Sequence, residues 1–545
     1  MSICTLPEDC FYEIFKHVSK DDTKTLYNCL LVNRFLCRLI IPILYKDPFS
    51  AVNDLKQNYC LIRIYLSCLD EIEKDYLQQN SIEILEDSIP LFDYAKYLEK
   101  FTDLTLPIEC WLIYQLGNLN EDLVYLEYND YINQLDRKKH LLLQKILFHL
   151  FLRKMKNCKE LIINSKLFDE SFCNLYLFKK NSSNYINLSF LNLIITKKDL
   201  NDSKEGLLYD IISIITKNCF NIKDLKITFF SYLNSNILKN SINELIQNQE
   251  NLNIIHLINP NFFSCDVNRI IDSKMNTLNS INITNSIHSI NHETFEVISN
   301  CKNLERLEFN NCRGLTYRNS KILLKSSLKL KELILHNNGK INLFDLSLIR
   351  RLGNNLINLS IDQISYVSLR IISRHCFNLK ILKIVLSTNR NMPFNSYQYF
   401  KIMKIEQLTI YYQHNLLLDD HILKILAENL PDTLYSFTIE KKFSNSLFTF
   451  LNNNYNCITP IGLNNFLINC RVNLINLNLD FYLKNNLLEK ILVHVKKKKS
   501  LKYLGIRSCS FWLGNDEYGN QLLNEIKENG VEIITIKNSD LLLRE

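Results

Sequence analysis

Glycine and proline are scarce in this 545-residue chain, with 10 and 9 residues respectively. So few glycines leave little room for phosphate-binding loops, and neither a G-x-G-x-x-G pattern nor a phosphate-loop motif occurs. Because 47% of the residues are hydrophobic, the chain also lacks the composition of a disordered protein. We therefore expect a chain that is folded almost throughout and that has no glycine-rich nucleotide site.

Catalytic and metal-binding motifs are missing as well. His292-Glu293 has no second histidine to complete a zinc-protease motif, and Cys301 and Cys312 lack the two further ligands that a zinc site needs. No cysteine has the features of an activated nucleophile. The 17 cysteines are odd in number and follow repeat and helix patterns, which indicates small buried apolar side chains and not disulfides. We predict no catalytic residues, no metal and no cofactor.

The chain also lacks long apolar runs and a strong net charge. Residues 141–152 are the most apolar stretch, but Gln144, Lys145 and His149 interrupt it and it is too short for a membrane span. No basic and apolar leader opens the sequence, so we expect a cytoplasmic or nuclear protein without a membrane partner. The 64 basic and 57 acidic residues give +7, which does not require nucleic acid, and we predict none as a partner. The dense basic run Lys496–Lys499 is interpreted as a solvated helix end.

The first 45 residues predict three short helices. Pro7, Glu8 and Asp9 favour a helix start near Leu6, because proline and negative charge both suit the first turn. Apolar residues then recur at spacings of three and four in three stretches, and we expect Pro42 to stop the third helix. Helices of this length bury little surface alone, so their apolar face needs a cover from a partner or from the rest of the chain.

The order LPEDCFYEIFKHV, a polar break and LYNCLLVNRFLCRL resembles the F-box. F-box proteins bind a Skp-type adaptor, and through it the cullin and RING subunits of an SCF ubiquitin ligase. The resemblance implies adaptor-facing or supporting positions at Leu6, Pro7, Ile14, Phe15, Val18, Leu26, Val32 and Leu39. One departure is Leu36, which stands where the family often has tryptophan. The alternative interpretation is an ordinary helical cap on the larger domain.

A leucine signature repeats through most of the chain. Pairs of the form L-x-L run from Leu161/Ile163 to Ile534/Ile536, at spacings of 23 to 34 residues apart from one of 40. Leucine-rich repeats have a period of roughly 20 to 29 residues and a strand of LxxLxL form. Several copies, such as CKNLERLEFNNC from Cys301, place a cysteine six residues before the first strand leucine. These copies resemble the cysteine-containing subfamily of leucine-rich repeats.

The repeat itself predicts an α/β architecture. Both apolar side chains of a pair point to one face of a short strand, and helical spacing follows, for example at Phe344 and Leu348. Thr459 and Pro460 predict the cap and first turn of a helix that ends near Cys470. Stacked repeats would form a solenoid with short parallel strands on its concave face and helices on its convex face. A doubly wound sheet would also alternate strand and helix, but it would not repeat one leucine signature.

We predict three regions: an F-box at 1–48, a helical connector with possible irregular first repeats at 49–150, and the leucine-rich-repeat solenoid at 151–545. The connector has helical periodicity but no L-x-L signature. The single spacing of 40 residues predicts an insertion, and we place its loop at Asn452–Asn456.

In a leucine-rich solenoid, the side chains between and after the two strand leucines point out of the concave face. The resemblance therefore implies client-binding candidates at Glu308, Asn310, His336, Asp362, Lys383, Tyr411, Glu440, Asp480 and Arg507. The alternative is that most of them are solvated surface.

The resemblances together predict a non-catalytic, substrate-recognition subunit of an SCF-type E3 ubiquitin ligase. The F-box would bind the Skp-type adaptor, and the repeats would bind an unknown protein client for ubiquitination and proteasomal degradation. A leucine-rich-repeat interaction scaffold with an N-terminal helical cap is the alternative, and an enzyme without a recognisable motif is a more distant one.

Overall fold

The structure is a computed structural model. It describes residues 7–21, 23–50, 55–84, 90–116, 137–168, 174–196, 202–230, 236–263, 267–286, 290–313, 315–338, 343–362, 364–385, 393–412, 419–441, 458–479, 483–507 and 517–536. The chain divides into two compact units within strand β5 (Ile254–Ile258). The first unit extends to Ile255 and the second begins at His256, apart from a short stretch at 262–265 that groups with the first.

Three helices open the first unit, at the places where the apolar spacing predicts them. They are α1 (Glu8–Asp21), α2 (Thr23–Leu30) and α3 (Arg34–Leu44). We call them, with the residues up to Ser50, the N-terminal module. Its small core consists of Phe11, Phe15, Leu26, Leu39, Ile40 and Ile43. The Asn33 side chain caps α3 by accepting a hydrogen bond of 2.8 Å from the Leu36 amide.

Pro42 does not stop the third helix, so this prediction is wrong. The helix continues to Leu44, and the Tyr45 amide donates to the Ile41 carbonyl at 3.1 Å. Proline lacks an amide hydrogen and therefore removes one helical hydrogen bond. Because Pro42 lies in the last turn, few bonds depend on it and the helix tolerates the loss.

In the region predicted as a connector, the described residues are mostly helical and include one strand that the leucine signature does not show. Strand β1 (Lys100–Phe101) pairs in parallel with β2 (Glu160–Asn164), and Phe101 lies opposite Leu161. This strand has one buried side chain where the repeats have two, so no L-x-L pair marks it. The other elements of the first unit are α4 (Leu55–Ser67), α5 (Glu71–Gln79), α6 (Thr105–Leu116), α7 (Arg137–Lys154), α8 (Asn174–Lys180), β3 (Phe190–Ile195), α9 (Asp202–Asn218), β4 (Asp224–Phe229) and α10 (Asn236–Gln247).

The second unit alternates strands with helices, or once with a 3₁₀ segment (Phe394–Ile402). Its helices are α11 (Val267–Ser273), α12 (His292–Asn300), α13 (Tyr317–Lys325), α14 (Leu343–Leu352), α15 (Tyr366–His375), α16 (Asp420–Glu428), α17 (Pro460–Asn469), α18 (Asn485–Lys498) and α19 (Glu517–Glu528). Its strands are β6 (Ser280–Thr284), β7 (Arg306–Asn310), β8 (Glu332–His336), β9 (Asn358–Ile361), β10 (Ile381–Val385), β11 (Gln407–Tyr412), β12 (Ser436–Lys441), β13 (Asn476–Leu479), β14 (Tyr503–Arg507) and β15 (Glu532–Ile536).

Within each unit the strands follow one another in chain order and pair in parallel. Their leucine positions are in register: Leu307 of β7 lies opposite Ile281 of β6 and Leu333 of β8. Both members of each of the first thirteen predicted pairs, up to Leu504/Ile506, are buried. Helices of successive repeats pack side by side. This repeated strand and helix, in chain order and in one register, is the leucine-rich-repeat fold.

The last predicted pair, Ile534/Ile536, is wrong by one residue. Strand β15 places Ile533 opposite Leu504 and Thr535 opposite Ile506. Ile534 is consequently 44% exposed. Because this strand contains consecutive isoleucines, the L-x-L pattern can be placed at Ile534/Ile536. The pairing with β14 instead puts Ile533 and Thr535 at the two positions of the pair.

Two further predictions concern the ends of helices in the second unit. Thr459 caps α17 by accepting a hydrogen bond of 2.8 Å from the Gly462 amide, and Pro460 is the first helical residue, as predicted. The predicted loop at Asn452–Asn456 lies outside the described residues.

The basic run at the end of α18 has structural partners. Lys498 Nζ donates to the carbonyl of Cys470 and, at 3.3 Å, to that of Val472. Lys496 pairs with Glu525 at 3.0 Å. These contacts support the interpretation of the run as a helix end.

The repeat cysteines that the structure describes are buried in the core, as predicted. Buried examples are Cys158, Cys219, Cys301, Cys312, Cys376 and Cys470, and burial raises the pKa of Cys301 and of Cys376 to about 12. Such thiols are poor nucleophiles at neutral pH. No cysteine in the described ranges forms a disulfide, and two outside the repeats, Cys10 and Cys60, are exposed.

Candidate functional site

Five exposed apolar side chains lie on the N-terminal module. Ile14, Leu31 and Val32 are 49, 80 and 67% exposed, and Tyr27 and Phe35 are also exposed. The core of the module is complete beneath them, since Phe11, Phe15 and Leu26 fill it. Exposed apolar side chains grouped on a small module are typical of an interaction surface. We call Ile14, Tyr27, Leu31, Val32 and Phe35 the exposed apolar group.

The structure divides the eight predicted adaptor positions into two sets. Pro7, Ile14 and Val32 are exposed, Phe15, Leu26 and Leu39 are buried in the core, Val18 is half-buried against that core, and Leu6 lies outside the described residues. The buried members can only support the surface. Tyr27, Leu31 and Phe35 are not among the predicted positions, although the run LLVNRF holds more apolar side chains than one helical stripe can bury.

Leu36, which departs from the family pattern, is not among the exposed side chains. It is half-buried and packs against the core of the module. The Phe35 ring beside it in sequence contacts Phe11 edge-on, with the ring centroids 5.6 Å apart. The departure therefore affects the edge of the core more than the exposed apolar group.

A hydrogen-bond ladder joins the module to the first strands of its unit. The amides of Glu99 and Lys100 donate to the Lys46 carbonyl at 2.9 and 3.3 Å. The amides of Lys159 and Glu160 donate to the Glu99 carbonyl at 2.8 and 3.3 Å. The module is thus connected to β1 and β2 by backbone pairing as well as by the covalent chain.

Side chains reinforce this ladder. Lys46 Nζ donates to the Tyr12 hydroxyl of α1 at 2.9 Å and lies 3.4 Å from the Glu99 carboxylate. Glu99 also pairs with Lys159 at 2.6 Å. A continuous series of contacts therefore runs from α1 to the start of β2, and it holds the module in a defined orientation on these strands.

The strand residues that alternate with the buried leucines of the second unit form what we call the open face. Several of these side chains are polar and yet nearly buried: Glu308 is 7% exposed and Ser360 is 3% exposed. Neighbouring strands lie roughly 4.8 Å apart, so side chains on adjacent strands cover one another. The open face is therefore a packed polar layer and not a loosely solvated surface.

A charged network crosses three strands of the open face. The Arg306 guanidinium donates to Glu308 Oε2 and to Glu332 Oε2, both at 3.0 Å. Asn358 Nδ2 donates to Glu332 Oε1 at 2.7 Å. Burial raises the pKa of Glu308, and the hydrogen bond and charge of Arg306 oppose that rise. The contacts of Glu308 are thus with its own chain, and its burial leaves little of it for a client.

A second network surrounds His336 on β8. Its Nε2 shares a hydrogen bond of 2.6 Å with Ser360 Oγ, and its Nδ1 lies 3.9 Å from Asp362 Oδ1. The Asp362 carboxylate accepts a hydrogen bond from the Asn337 amide. The Tyr411 ring meets the His336 ring edge-on at 6.0 Å between centroids.

This network contains a serine, a histidine and an aspartate, which are the residue types of a hydrolase triad. In such a triad the aspartate bonds the histidine, and the serine hydroxyl is exposed to the substrate. Here the separation of 3.9 Å between His336 Nδ1 and Asp362 is too long for a hydrogen bond, and Ser360 is buried. The arrangement does not supply an exposed, activated nucleophile. Among the described residues there is also no cluster of side chains that could hold a metal ion.

The remaining client-binding candidates are only partly accessible. Asn310, His336, Lys383, Tyr411 and Glu440 are half-buried, and Asp362 is buried. Tyr411 lies opposite Glu440 in the register of β11 and β12. Two candidates cannot be placed fully. Asp480 lies outside the described residues, and Arg507 ends β14 but its side chain is not described.

An asparagine ladder, which the sequence predictions do not include, lies at the strand ends. Asn259, Asn285, Asn311 and Asn337 each follow a strand in the left-handed conformation, with φ between 52 and 57°. Asparagine tolerates this conformation better than most residues. The Asn285 amide donates to the Asn310 carbonyl of the next strand at 2.8 Å. The signal in the sequence is an asparagine four residues after the first leucine of the pair, repeated in four successive copies.

No helix in the described ranges is both long and apolar enough to cross a membrane.

No protein-family description matches the chain, and no curated protein matches it. Among solved structures, the chain is similar to the complex of Rad7 and Elc1 from yeast, with 13% identity, a TM-score of 0.38, and coverage of 99% of this chain and 100% of that one. It is also similar to a leucine-rich-repeat protein of Leptospira interrogans, with 13% identity, a TM-score of 0.25, and coverage of 71% and 91%. The fold assignment therefore rests on the strand register and the repeats.

Proposed function

We propose that this chain is the substrate-recognition subunit of an SCF-type ubiquitin ligase. The N-terminal module acts as an F-box and binds a Skp-type adaptor, which connects it to cullin and RING subunits. The leucine-rich repeats bind a protein client, which is ubiquitinated and then degraded by the proteasome. The chain itself contributes orientation and the choice of client, and no chemical step.

The exposed apolar group is the observation that supports this proposal most. If the module were only a cap on the repeats, its apolar face should be covered by the rest of the chain. Instead Leu31 and Val32 are 80 and 67% exposed above a finished core. Apolar burial is worth about 25 cal/mol per Å², so a partner that covers this group gains substantial free energy.

The ladder between the module and β1 and β2 suits the same role. A ligase transfers ubiquitin by proximity, so the adaptor-binding module and its neighbouring repeats should not move freely against each other. The backbone bonds at Lys46 and Glu99 and the contact of Lys46 with Tyr12 restrict such motion in the first unit.

Client binding is assigned to the accessible residues of the open face. Four of these residues are half-buried and differ in chemistry: the imidazole of His336, the ammonium of Lys383, the phenol of Tyr411 and the carboxylate of Glu440. A few such residues usually dominate the affinity of an interface.

The proposal is tested by adaptor binding of two matched triple variants. The first variant combines Ile14→Ala, Leu31→Ala and Val32→Ala, which remove exposed side chains from the module. It should bind a purified Skp-type adaptor at least about tenfold more weakly than the wild type does. The control carries Ile72→Ala, Leu91→Ala and Ile186→Ala, which are also exposed apolar positions of the first unit but lie outside the module. The control should bind as the wild type does.

The alternative, a leucine-rich-repeat scaffold with a helical cap, predicts a different outcome. In that case the wild-type chain would not bind the adaptor at all, although circular dichroism shows it to be folded. Equal weakening by both triple variants would also contradict the proposal, because it would show that the module has no special part in binding.

A further inference from the structure

The helical side of four successive repeats in the second unit holds a large excess of positive charge. Helices α13, α14 and α15 and the 3₁₀ segment contain one carboxylate, Asp345, and eight cationic side chains. The eight are Arg318, Lys321, Lys325, Arg350, Arg351, Arg370, Arg374 and Lys401. Eight minus one gives +7, which equals the formal charge of the whole chain, so the rest of the sequence sums to zero. We call these eight residues the basic helix face.

The basic helix face is largely exposed, and no carboxylate of the described residues forms an ion pair with it. Arg370 is half-buried and the other seven side chains are exposed. None of the eight forms an ion pair with a carboxylate in the described part of the protein, whereas lysines elsewhere in the unit do, as Lys331 does with Glu305 and Lys380 with Glu406. Asp345, the one carboxylate on these elements, is buried in the first turn of α14.

Tyrosines accompany the cations. Lys321 Nζ lies 5.1 Å from the centre of the Tyr317 ring, and the Arg370 guanidinium lies 5.6 Å from that of Tyr366. The Tyr399 hydroxyl donates to the Tyr366 hydroxyl at 3.1 Å. This hydrogen bond, and then the charges of nearby arginines, lower the pKa of Tyr366, as expected in a positive local potential.

The composition of the face favours a protein partner over a nucleic acid. Five of the eight cations are arginine, although lysine outnumbers arginine in the chain as a whole. Val367, Phe394 and Ile402 are exposed on the same elements, at 40, 56 and 62%. Arginine, tyrosine and exposed apolar side chains together are typical of protein interfaces, whereas nucleic-acid surfaces rely mainly on contacts to phosphate.

We propose that the basic helix face binds an acidic segment of a partner protein, in which aspartate or glutamate alternates with occasional apolar residues. The carboxylates pair with the unneutralised arginines and lysines, and the apolar residues contact Val367, Phe394 and Ile402. This proposal does not depend on adaptor binding, because it concerns the second unit and the exposed apolar group belongs to the first.

The test uses the full-length chain and a fluorescein-labelled peptide of glutamates with two leucines. One comparison peptide replaces the leucines by serine, and an oligothymidylate of equal charge represents nucleic acid. The variant carries Arg318→Glu, Arg350→Glu, Arg370→Glu and Arg374→Glu. The control carries the same change of charge at four exposed lysines on other helices: Lys179→Glu, Lys217→Glu, Lys497→Glu and Lys527→Glu.

We expect the leucine-containing peptide to bind the wild type and the control alike, more tightly than the serine peptide, and with an affinity that falls as salt rises. The arginine variant should lose at least about tenfold in affinity, with unchanged circular dichroism. An equal loss of peptide affinity in the variant and the control would show that only the net charge of the chain matters, and it would overturn the proposal. Tighter binding of the oligothymidylate than of either peptide, lost in the arginine variant, would assign the face to nucleic acid instead. Absence of binding to the wild type would also overturn it.

Discussion

The N-terminal module and the strand pairs of the repeats differ in how far their aliphatic side chains are buried. In the repeats, the leucines and isoleucines of the first thirteen strand pairs are all buried, because each strand stacks on its neighbour in one register. In the module, Ile14, Leu31 and Val32 remain largely exposed although a small core has formed below them. The strand pairs of the repeats bury their apolar side chains against one another, whereas these three side chains of the module are covered by no described part of the chain.

This difference separates two kinds of binding surface. The module offers apolar side chains whose burial by a partner is favourable in itself. The open face of the second unit offers polar groups that already bond one another, such as Arg306 with Glu308 and Glu332. A client that binds there must replace these hydrogen bonds and ion pairs or add to them. We therefore expect the match of polar groups, and not the burial of apolar surface, to determine which client binds.

The largest expected effect comes from removing a core ring of the repeats. Phe309 is fully buried, with the rings of Phe295 and Phe344 5.8 and 6.3 Å away. Phe309→Ala should cost about 3–5 kcal/mol of unfolding free energy in urea, since it leaves a cavity in a stacked core. Val32→Ala, which removes an exposed side chain, should cost less than about 0.5 kcal/mol. Similar losses from the two changes would refute the contrast between the regions.

A smaller effect is expected from a core deletion inside the module. Leu26 is buried in a core of only six residues. Leu26→Ala should cost about 2–3 kcal/mol, and we expect hydrogen exchange to become faster in α1 to α3 but not in the repeats of the second unit. Faster exchange throughout the chain would show that the module and those repeats unfold as one body.

A buried histidine of the repeats, His494, should make the stability depend on pH. Burial, together with the charge of Lys498, lowers the pKa of His494 to about 4. The unfolded chain binds this proton near pH 6.5 and the folded chain does not, so the stability is complete above pH 6.5 and is lost as the pH falls towards 4. We expect a loss on the order of 2 kcal/mol over this interval. Urea unfolding of His494→Gln should show a smaller pH dependence, and an unchanged one would contradict the assignment.

The smallest effect concerns the asparagine ladder of the repeats. Asn311 has φ 52°, and its Nδ2 donates to Asn285 Oδ1 at 2.7 Å. Asn311→Ala should cost about 1 kcal/mol, because alanine is strained in this conformation and the hydrogen bond is lost. Asn311→Gly keeps the conformation accessible and should cost less. Thermal unfolding of both variants measures the difference in stability. An equal loss of stability would show that strain of alanine in the left-handed conformation does not contribute.

The repeats were predictable from sequence because every strand contains the same pair in the same phase. Prediction failed where that pair is incomplete or ambiguous: β1 has only Phe101 as a buried residue, and the isoleucines of β15 match the pattern one residue late. The path of α3 past Pro42 was missed because one lost hydrogen bond in a last turn changes little.

The candidate sites were less predictable than the fold. Alternation along a strand indicates which side chains leave the core, but it does not show that Glu308 is buried by its neighbours. The basic helix face is not evident in the sequence, because its charges are spread over four elements separated by strands and these elements pack side by side only when the repeats stack. The resemblance to the F-box indicated positions such as Ile14 and Val32, yet only the packing shows which members are exposed.

Hydrogen exchange of the full-length chain with and without a purified Skp-type adaptor tests the central claim most directly. We predict slower exchange in the module, above all in α2, α3 and the turn that contains Leu31 and Val32, and no change in the described repeats of the second unit. Unchanged exchange in the module, or protection confined to the repeats, would contradict the claim that the exposed apolar group binds the adaptor.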